Sequence, residues 1–207
     1  MRKNISIKLL TTLLLSTALA CGPNSNQDAL SYGADDQSYY ESAECLDIDI
    51  KDLPDQAYIS VPYIEQNENY CGPASLAMVL GYYGEEVSQE VLGEGIVGEL
   101  GVTTRSLSAK AEEYGFKVDV YSCRIETLLY YVSKDVPVIA RIVNSTSTNG
   151  HFVTVIGYDL VSKMIYLNDP AIYNNVELKI SEFVDVWDVR TLEKDNNSWN
   201  QMILVRP

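Results

Sequence analysis

NYCGPASLAMVLGYYG, Asn69 to Gly84, is the stretch from which the rest of the sequence is read. Cys71 stands immediately before Gly72-Pro73, and an apolar run from Ala74 to Leu80 follows, broken only by Ser75. Proline suits the first helical position because it has no N–H to leave unpaired there. The stretch therefore predicts a helix starting at or just after Cys71. Leu76, Val79, Leu80 and Tyr83 keep i, i+3, i+4, i+7 spacing, and Gly84 supplies the stop. Ala77 and Met78 make the run apolar on nearly every side, the pattern of a helix buried all round. A thiol at the N-terminus of such a helix lies in the positive field of unpaired N–H groups, which favours thiolate over thiol. The competing reading of Cys71 is a buried residue packing as a small hydrophobe.

Residues elsewhere in the chain separate those readings. Gln66 opens the short loop Gln66 to Tyr70, and its side-chain amide, turned back toward Cys71, would join the Cys71 N–H as a second donor to a developing oxyanion. His151 is the only histidine in the chain, so a Cys71 nucleophile that needs an imidazole base has one candidate. Asp169 ends the strand candidate Lys163 to Leu167, beside Asn168. A hairpin at Asp159 to Ser162 would carry Asp169 next to His151. Read alone, His151 is an ordinary structural histidine and Asn168-Asp169-Pro170 a plain turn.

The surrounding pattern is α+β. Ala57 to Ile64 has strand composition, with Pro62 pointing to an edge. Short helices are expected at Val87 to Leu92, capped by Ser88, and at Thr103 to Tyr114, capped by Thr103 or Thr104 with Gly115 beyond the end. Phe116 to Tyr121 alternates as a strand, Glu126 to Ser133 reads as a helix, and Pro137 to Val143 as a buried strand. Asn149-Gly150 signals a turn. Beyond it lie strands at Phe152 to Tyr158, Lys163 to Leu167, Val176 to Ile180 and Met202 to Val205, with a helical turn at Glu182 to Trp187. Helices first and hairpin-linked strands after give an antiparallel sheet packed against a buried helix. The sequence shows no repeats, no metal-type Cys/His pairs and no phosphate loop, so no metal or other cofactor is called for.

The order Gln66, Cys71, His151, Asp169 follows the logic of papain-like cysteine hydrolases: oxyanion donor, nucleophile on a helix N-terminus, base, orienting group. More specifically, Gln66, Cys71-Gly72-Pro73-Ala74, Gly150-His151-Phe152-Val153 and Asn168-Asp169-Pro170 resemble the motifs of the bacteriocin-processing, double-glycine cysteine peptidase family. The resemblance runs from about Ser60 to Asp188. It implies a papain-like fold and hydrolysis of peptide bonds, with a peptide or protein as substrate. Members with leader-peptide roles are usually fused to an ATP-driven exporter; an export signal groups this sequence with free-standing relatives.

That signal is Met1 to Ala20: Arg2 and Lys3, an apolar middle at Leu9 to Leu15, then small residues. The apolar run is too short to span a bilayer. Cys21 directly after Ala18-Leu19-Ala20 resembles the lipobox of bacterial lipoproteins, which implies an acylated Cys21 as the mature first residue and anchorage outside the cytoplasm, at the cell surface or the periplasmic face. The alternative is a plain secretory signal. From Cys21 to Ile50 there are seven acids and no base, the composition of a flexible tether, with room for a weak helix near Ser38 to Glu44. The catalytic domain is then Lys51 to Pro207. Removing Arg2, Lys3 and Lys8 takes the net charge from −14 to −17, which repels nucleic acid and anionic headgroups. Cys45, Cys71 and Cys123 allow three alternative single bridges outside the cytoplasm. Cys45–Cys123 is the one that leaves Cys71 free, and two unpaired thiols are the alternative to it. Two other functions fit the same residues. One is acyl transfer to an amine, as a transpeptidase or transglutaminase-like enzyme; the other is a catalytically silent peptide-binding lipoprotein.

Overall fold

The buried central helix forms and is walled in on all sides. The structure, a computed structural model, describes residues 45–144, 147–187 and 200–207. The export signal, Cys21, the tether up to residue 44 and its weak helix lie outside the described residues. Helix α1 spans Cys71–Tyr82, and every residue from Gly72 to Leu80 is buried. Its first intrahelical bond runs from the Ala74 N–H to the Tyr70 carbonyl, 2.8 Å. Pro73 is thus the third helical residue rather than the first, still within the turn whose N–H groups have no helical partner. At the far end Gly84 adopts φ +90°, and the Glu85 N–H returns to the Leu80 carbonyl, 3.0 Å.

Helix α2, Gln89–Gly93, is capped by Ser88. Helix α3, Thr104–Glu113, begins with a reciprocal box between Thr103 and Ser106, and Gly115 follows its end at φ +82°. Strand β2 is Lys117–Ser122, helix α4 Ile125–Val132, strand β3 Val138–Asn144 and strand β4 Ser147–Asp159. Strands β5, Met164–Asp169, and β6, Tyr173–Lys179, lead into helix α5, Ile180–Trp187, and strand β7, Gln201–Arg206, closes the chain. The sheet runs β2-β7-β3-β4-β5-β6, every pairing antiparallel, with β1, Gln56–Tyr58, also paired to β4.

Two sequence readings need correction. The strand expected over Ala57 to Ile64 pairs only at Gln56–Tyr58, extended by one bond from the Ile59 N–H to the Ile156 carbonyl. Past that point the chain leaves β4 and is tied to the end of β5 instead. The turn expected at Asn149-Gly150 is not there: Asn144 pairs with Ser147, and Gly150 lies inside β4 at φ +84°. A Cβ at Gly150 would also sit 2.7 Å from Nε of Arg141. The glycine is required by a positive φ and a close cross-strand neighbour, not by a reversal of the chain.

Alternation along the strands feeds two cores. Ile139, Phe152, Ile203 and Val205 face α1 and α3, where they meet Leu76, Val79, Leu80 and Leu107. Val138, Ala140, Val153, Met202 and Leu204 face the opposite way, toward Leu128, Leu129 and Val132 of α4 and Phe183 and Trp187 of α5. The sheet is therefore covered on both faces rather than on one. Each fully buried large side chain contributes about 1.5–3 kcal/mol relative to exposure.

Cys45–Ile50, read from sequence as the end of the tether, is fastened to the second core. Cys45 is disulfide-bonded to Cys123, with Cα atoms 5.6 Å apart. Thr127 Oγ1 donates to the Leu46 carbonyl, and Ile48 packs on the core. Among the described residues no helix is long and apolar enough to cross a membrane, and no cluster of His, Cys, Asp and Glu could hold a metal ion.

Candidate active site

The site is built where the start of α1 meets β4. Ser75, one turn into the helix, donates from Oγ to the Phe152 carbonyl, 3.2 Å, and Thr154 Oγ1 donates to the Ser75 carbonyl, 3.5 Å. These two bonds fix the height of α1 along β4 and bring Cys71 to His151. The approach also depends on Gly72. A Cβ there would lie 2.4 Å from Val102 Cγ2 and 3.3 Å from the Phe152 ring, so a side chain would lift the helix start off its neighbours. Cys71 is partly buried and is the free cysteine among the described residues.

The β4–β5 hairpin turns at Asp159, whose Oδ1 accepts from the N–H groups of Val161 and Ser162 at 2.8 and 3.0 Å. Its register sets Thr154 opposite Asn168. Continued by one residue, that register sets Asp169 across from Val153, one diagonal step from His151 on the same face. The side chains meet: His151 Nε2 and Asp169 Oδ1 are 2.7 Å apart, each residue 5% exposed. Asp169 Oδ1 also accepts from the Ala171 N–H, 2.9 Å, which fixes the carboxylate. With Nε2 held by Asp169, Nδ1 is the nitrogen left to hydrogen-bond the Cys71 sulfur.

The electrostatics are those of an ion pair. Burial works to raise the Cys71 pKa, but the hydrogen bond and charge of His151 and the N–H groups of Phe152 and Gly72 outweigh it, so the thiol lies below its ordinary value. Burial works to lower the His151 pKa. Hydrogen bonds to Asp169 and Cys71 and their negative charge overcome it and raise it to about 9. Both shifts favour thiolate beside imidazolium.

Gln66 occupies a loop tied to the same hairpin. Its N–H donates to the Pro170 carbonyl, 2.9 Å, one residue past Asp169. Asn168 Nδ2 donates to the Val61 carbonyl at 3.3 Å, and the Tyr63 hydroxyl donates to the Asp169 carbonyl at 3.3 Å. Gln66 Oε1 is buried without a hydrogen-bond partner. The structure thus brings Cys71, His151 and Asp169 into one chain of contacts and binds the Gln66 backbone to its end. Cys123 belongs to the other core, and Cys45 is an exposed residue bonded to it. The sequence reading passed over Tyr63 and over Gln89, which contacts the Gln66 loop from α2. Tyr63 reads as one more tyrosine in a strand-like run, and Gln89 as a polar residue within the short helix Val87 to Leu92.

Comparison with known proteins identifies the family. The Peptidase_C39 like family matches residues 58–201. The lactococcin-G-processing and transport ATP-binding protein LagD of Lactococcus lactis subsp. lactis is 31% identical over 126 residues, which is 59% of this chain and 17% of that protein. The chain therefore spans about a sixth of that relative. A double glycine motif protease from an AMS/PCAT transporter, solved in complex with the leader peptide, superposes with TM-score 0.57 at 28% identity, over 73% of this chain and 94% of that one. A putative C39-like peptidase from Bacillus anthracis superposes with TM-score 0.59 at 21% identity, over 74% and 98%. The mixed helix and antiparallel sheet, with α1 packed on the sheet, is papain-like. With the family matched across most of the folded residues, the chain belongs to the Peptidase_C39 like family and is a cysteine-type peptidase.

Proposed function

We propose that the chain is an exported, lipid-anchored peptidase that hydrolyses peptide bonds through Cys71, His151 and Asp169, with Gln66 as an oxyanion donor. The observation that carries this reading is the buried contact chain from Cys71 through His151 to Asp169, with the thiol pKa depressed and the imidazole pKa raised. The Cys71 thiolate attacks the amide carbonyl carbon, and the carbonyl π electrons move to oxygen. The Gln66 amide and the Cys71 N–H stabilise that oxyanion; losing one such donor typically costs about 10²–10³ in turnover. His151 gives its proton to the leaving nitrogen as the C–N bond breaks, leaving a thioester. It then takes a proton from water, the hydroxide adds to the thioester, and the thiolate leaves. Asp169 holds the ring in orientation throughout.

The substrate class is peptide, since a relative is described as processing lactococcin G and another was solved with a leader peptide. Export and anchoring rest on Met1 to Cys21 and gain support from the Cys45–Cys123 disulfide, a bond that persists where thiols are not kept reduced. In this reading residues 21–44 are the tether. A peptide-library digest by the full chain beside Cys71→Ala tests the chemistry. The expected result is that every cleavage made by the wild type disappears, a loss on the order of 10⁶ in kcat where a nucleophile is removed. Cleavages that persist in the variant would assign the hydrolysis to another group.

A further inference from the structure

We infer that Gln89 is a positioning residue for the oxyanion side of the site: its side-chain amide clamps the backbone on both sides of Gln66 and so sets where that donor points. The inference rests on the assignment of Gln66 as oxyanion donor.

Gln89 opens α2, a five-residue helix too short to hold itself together in water. A glutamine there ordinarily extends into solvent, yet Gln89 is only 7% exposed. Its Oε1 accepts from the Asn67 N–H, 2.8 Å, and its Nε2 donates to the Glu65 carbonyl, 2.9 Å. The partners fix the orientation of the amide. A backbone N–H can only donate and a carbonyl can only accept, so the side chain fits one way round. Between those two grips lies Gln66, whose own N–H is held by the Pro170 carbonyl, 2.9 Å. The next residue of α2 adds a further hold, Glu90 Oε1 accepting from Asn67 Nδ2 at 2.6 Å.

The backbone of three consecutive residues, Glu65, Gln66 and Asn67, is thereby pinned to two separate elements, α2 and the end of β5. The Gln66 side chain has no anchor of its own at Oε1. Its direction is therefore inherited from the backbone, and the backbone from Gln89 and Pro170. The two hydrogen bonds that Gln89 makes are both to this loop, so its influence reaches the chemistry through Gln66. Glutamate is the informative replacement. It keeps size and the acceptor for Asn67 but sets a carboxylate oxygen against the Glu65 carbonyl.

The test compares Gln66→Ala, Gln89→Ala, Gln89→Glu and the double variant Gln66→Ala/Gln89→Ala in the full chain. The readouts are kcat and KM on a quenched fluorescent peptide chosen from the wild-type library digest, and the pH dependence of Cys71 alkylation by iodoacetamide. Alkylation needs the thiolate but no oxyanion donor, so it reports whether the ion pair is intact. Expected are a kcat loss of about 10²–10³ for Gln66→Ala and of about 10–10² for both Gln89 variants, the cost of a misplacement near 1 Å. KM should stay within roughly threefold and the alkylation profile should not move. The double variant should be no slower than Gln66→Ala alone. Gln89 variants with wild-type kcat beside a crippled Gln66→Ala would overturn the clamp while leaving the oxyanion assignment standing. Multiplying losses in the double variant, or a shifted alkylation profile, would also overturn it, by showing that Gln89 acts elsewhere. A harmless Gln66→Ala would sink the assignment and the clamp together. If Gln89→Ala does not fold, Gln89→Glu carries the same comparisons.

Discussion

The two faces of the sheet are equally apolar in outline and differ in how their helices are held. On one face α4 and α5 lay Leu128, Leu129, Val132, Phe183 and Trp187 on the strands, and the Trp187 indole N–H donates to the Gln201 carbonyl, 2.8 Å. On the other face α1 buries Leu76, Val79 and Leu80 but is also stitched to β4 through Ser75 and Thr154. Apolar contact supplies burial energy without direction, so it stabilises a helix while leaving its axial position loosely defined. A hydrogen bond to a strand carbonyl has a narrow range of distance and angle. The start of α1 is where the sulfur must meet the imidazole, and α1 is bonded to β4 within about a turn of that point, whereas the Trp187 bond fixes only the C-terminal end of α5.

The comparison breaks if the faces respond alike to mutation. The largest expected effect on stability is on the apolar face: Phe183→Ala should cost about 3–5 kcal/mol in denaturant unfolding, with kcat of the remaining folded enzyme unchanged. A large kcat loss there would mean that this face also sets the geometry of the site. Next is Asp169→Asn, whose amide oxygen can still accept from His151 and Ala171 but carries no charge. The His151 pKa, raised to about 9 in part by the Asp169 charge, should then fall. In the proposed mechanism the imidazolium is the acid that protonates the leaving amine, so activity is lost as pH rises through that pKa. The upper limb of kcat/KM against pH should therefore move to lower pH, by about 1 unit or more, each unit being worth about 1.4 kcal/mol. An unmoved limb would remove Asp169 from the titrating group. The smallest effect on stability is expected from Ser75→Ala, about 0.5–1.5 kcal/mol for one hydrogen bond, but with kcat/KM down roughly tenfold from a displaced sulfur. Wild-type kcat/KM in that variant would make the stitching incidental.

Much of this was legible before any coordinates. The apolar run after Cys71 specified α1, because a helix with no polar stripe has only the interior to occupy. Ser88 and Thr103 marked their helix starts through local hydroxyl-to-N–H bonds that need no tertiary context. The nearness of Asp169 to His151 was anticipated from the hairpin at Asp159, while the register shift between Val155 and Gly157 that sets the two on one face was not. What stayed hidden depended on contacts distant in sequence. Ala57 to Ile64 has the composition of a strand, but past Ile59 its partners are Asn168 and the carbonyls of Asp169 and Pro170, which no local pattern announces. Asn149-Gly150 has the chemistry of a turn, yet Gly150 is needed for a left-handed residue under Arg141. Gln89 gave no signal at all, since a clamp made to backbone leaves no trace in the residues it grips. The second apolar face was missed because α4 and α5 read as short helices without a destination.

The lacing of Val61, Tyr63 and Gln66 to the far end of β5 has a mechanical consequence. The Gln66 backbone and the carboxylate behind the imidazole ride on a single block, to which β4 joins the helix of the sulfur. Displacing the end of β5 would therefore shift Gln66 and Asp169 together rather than one at a time.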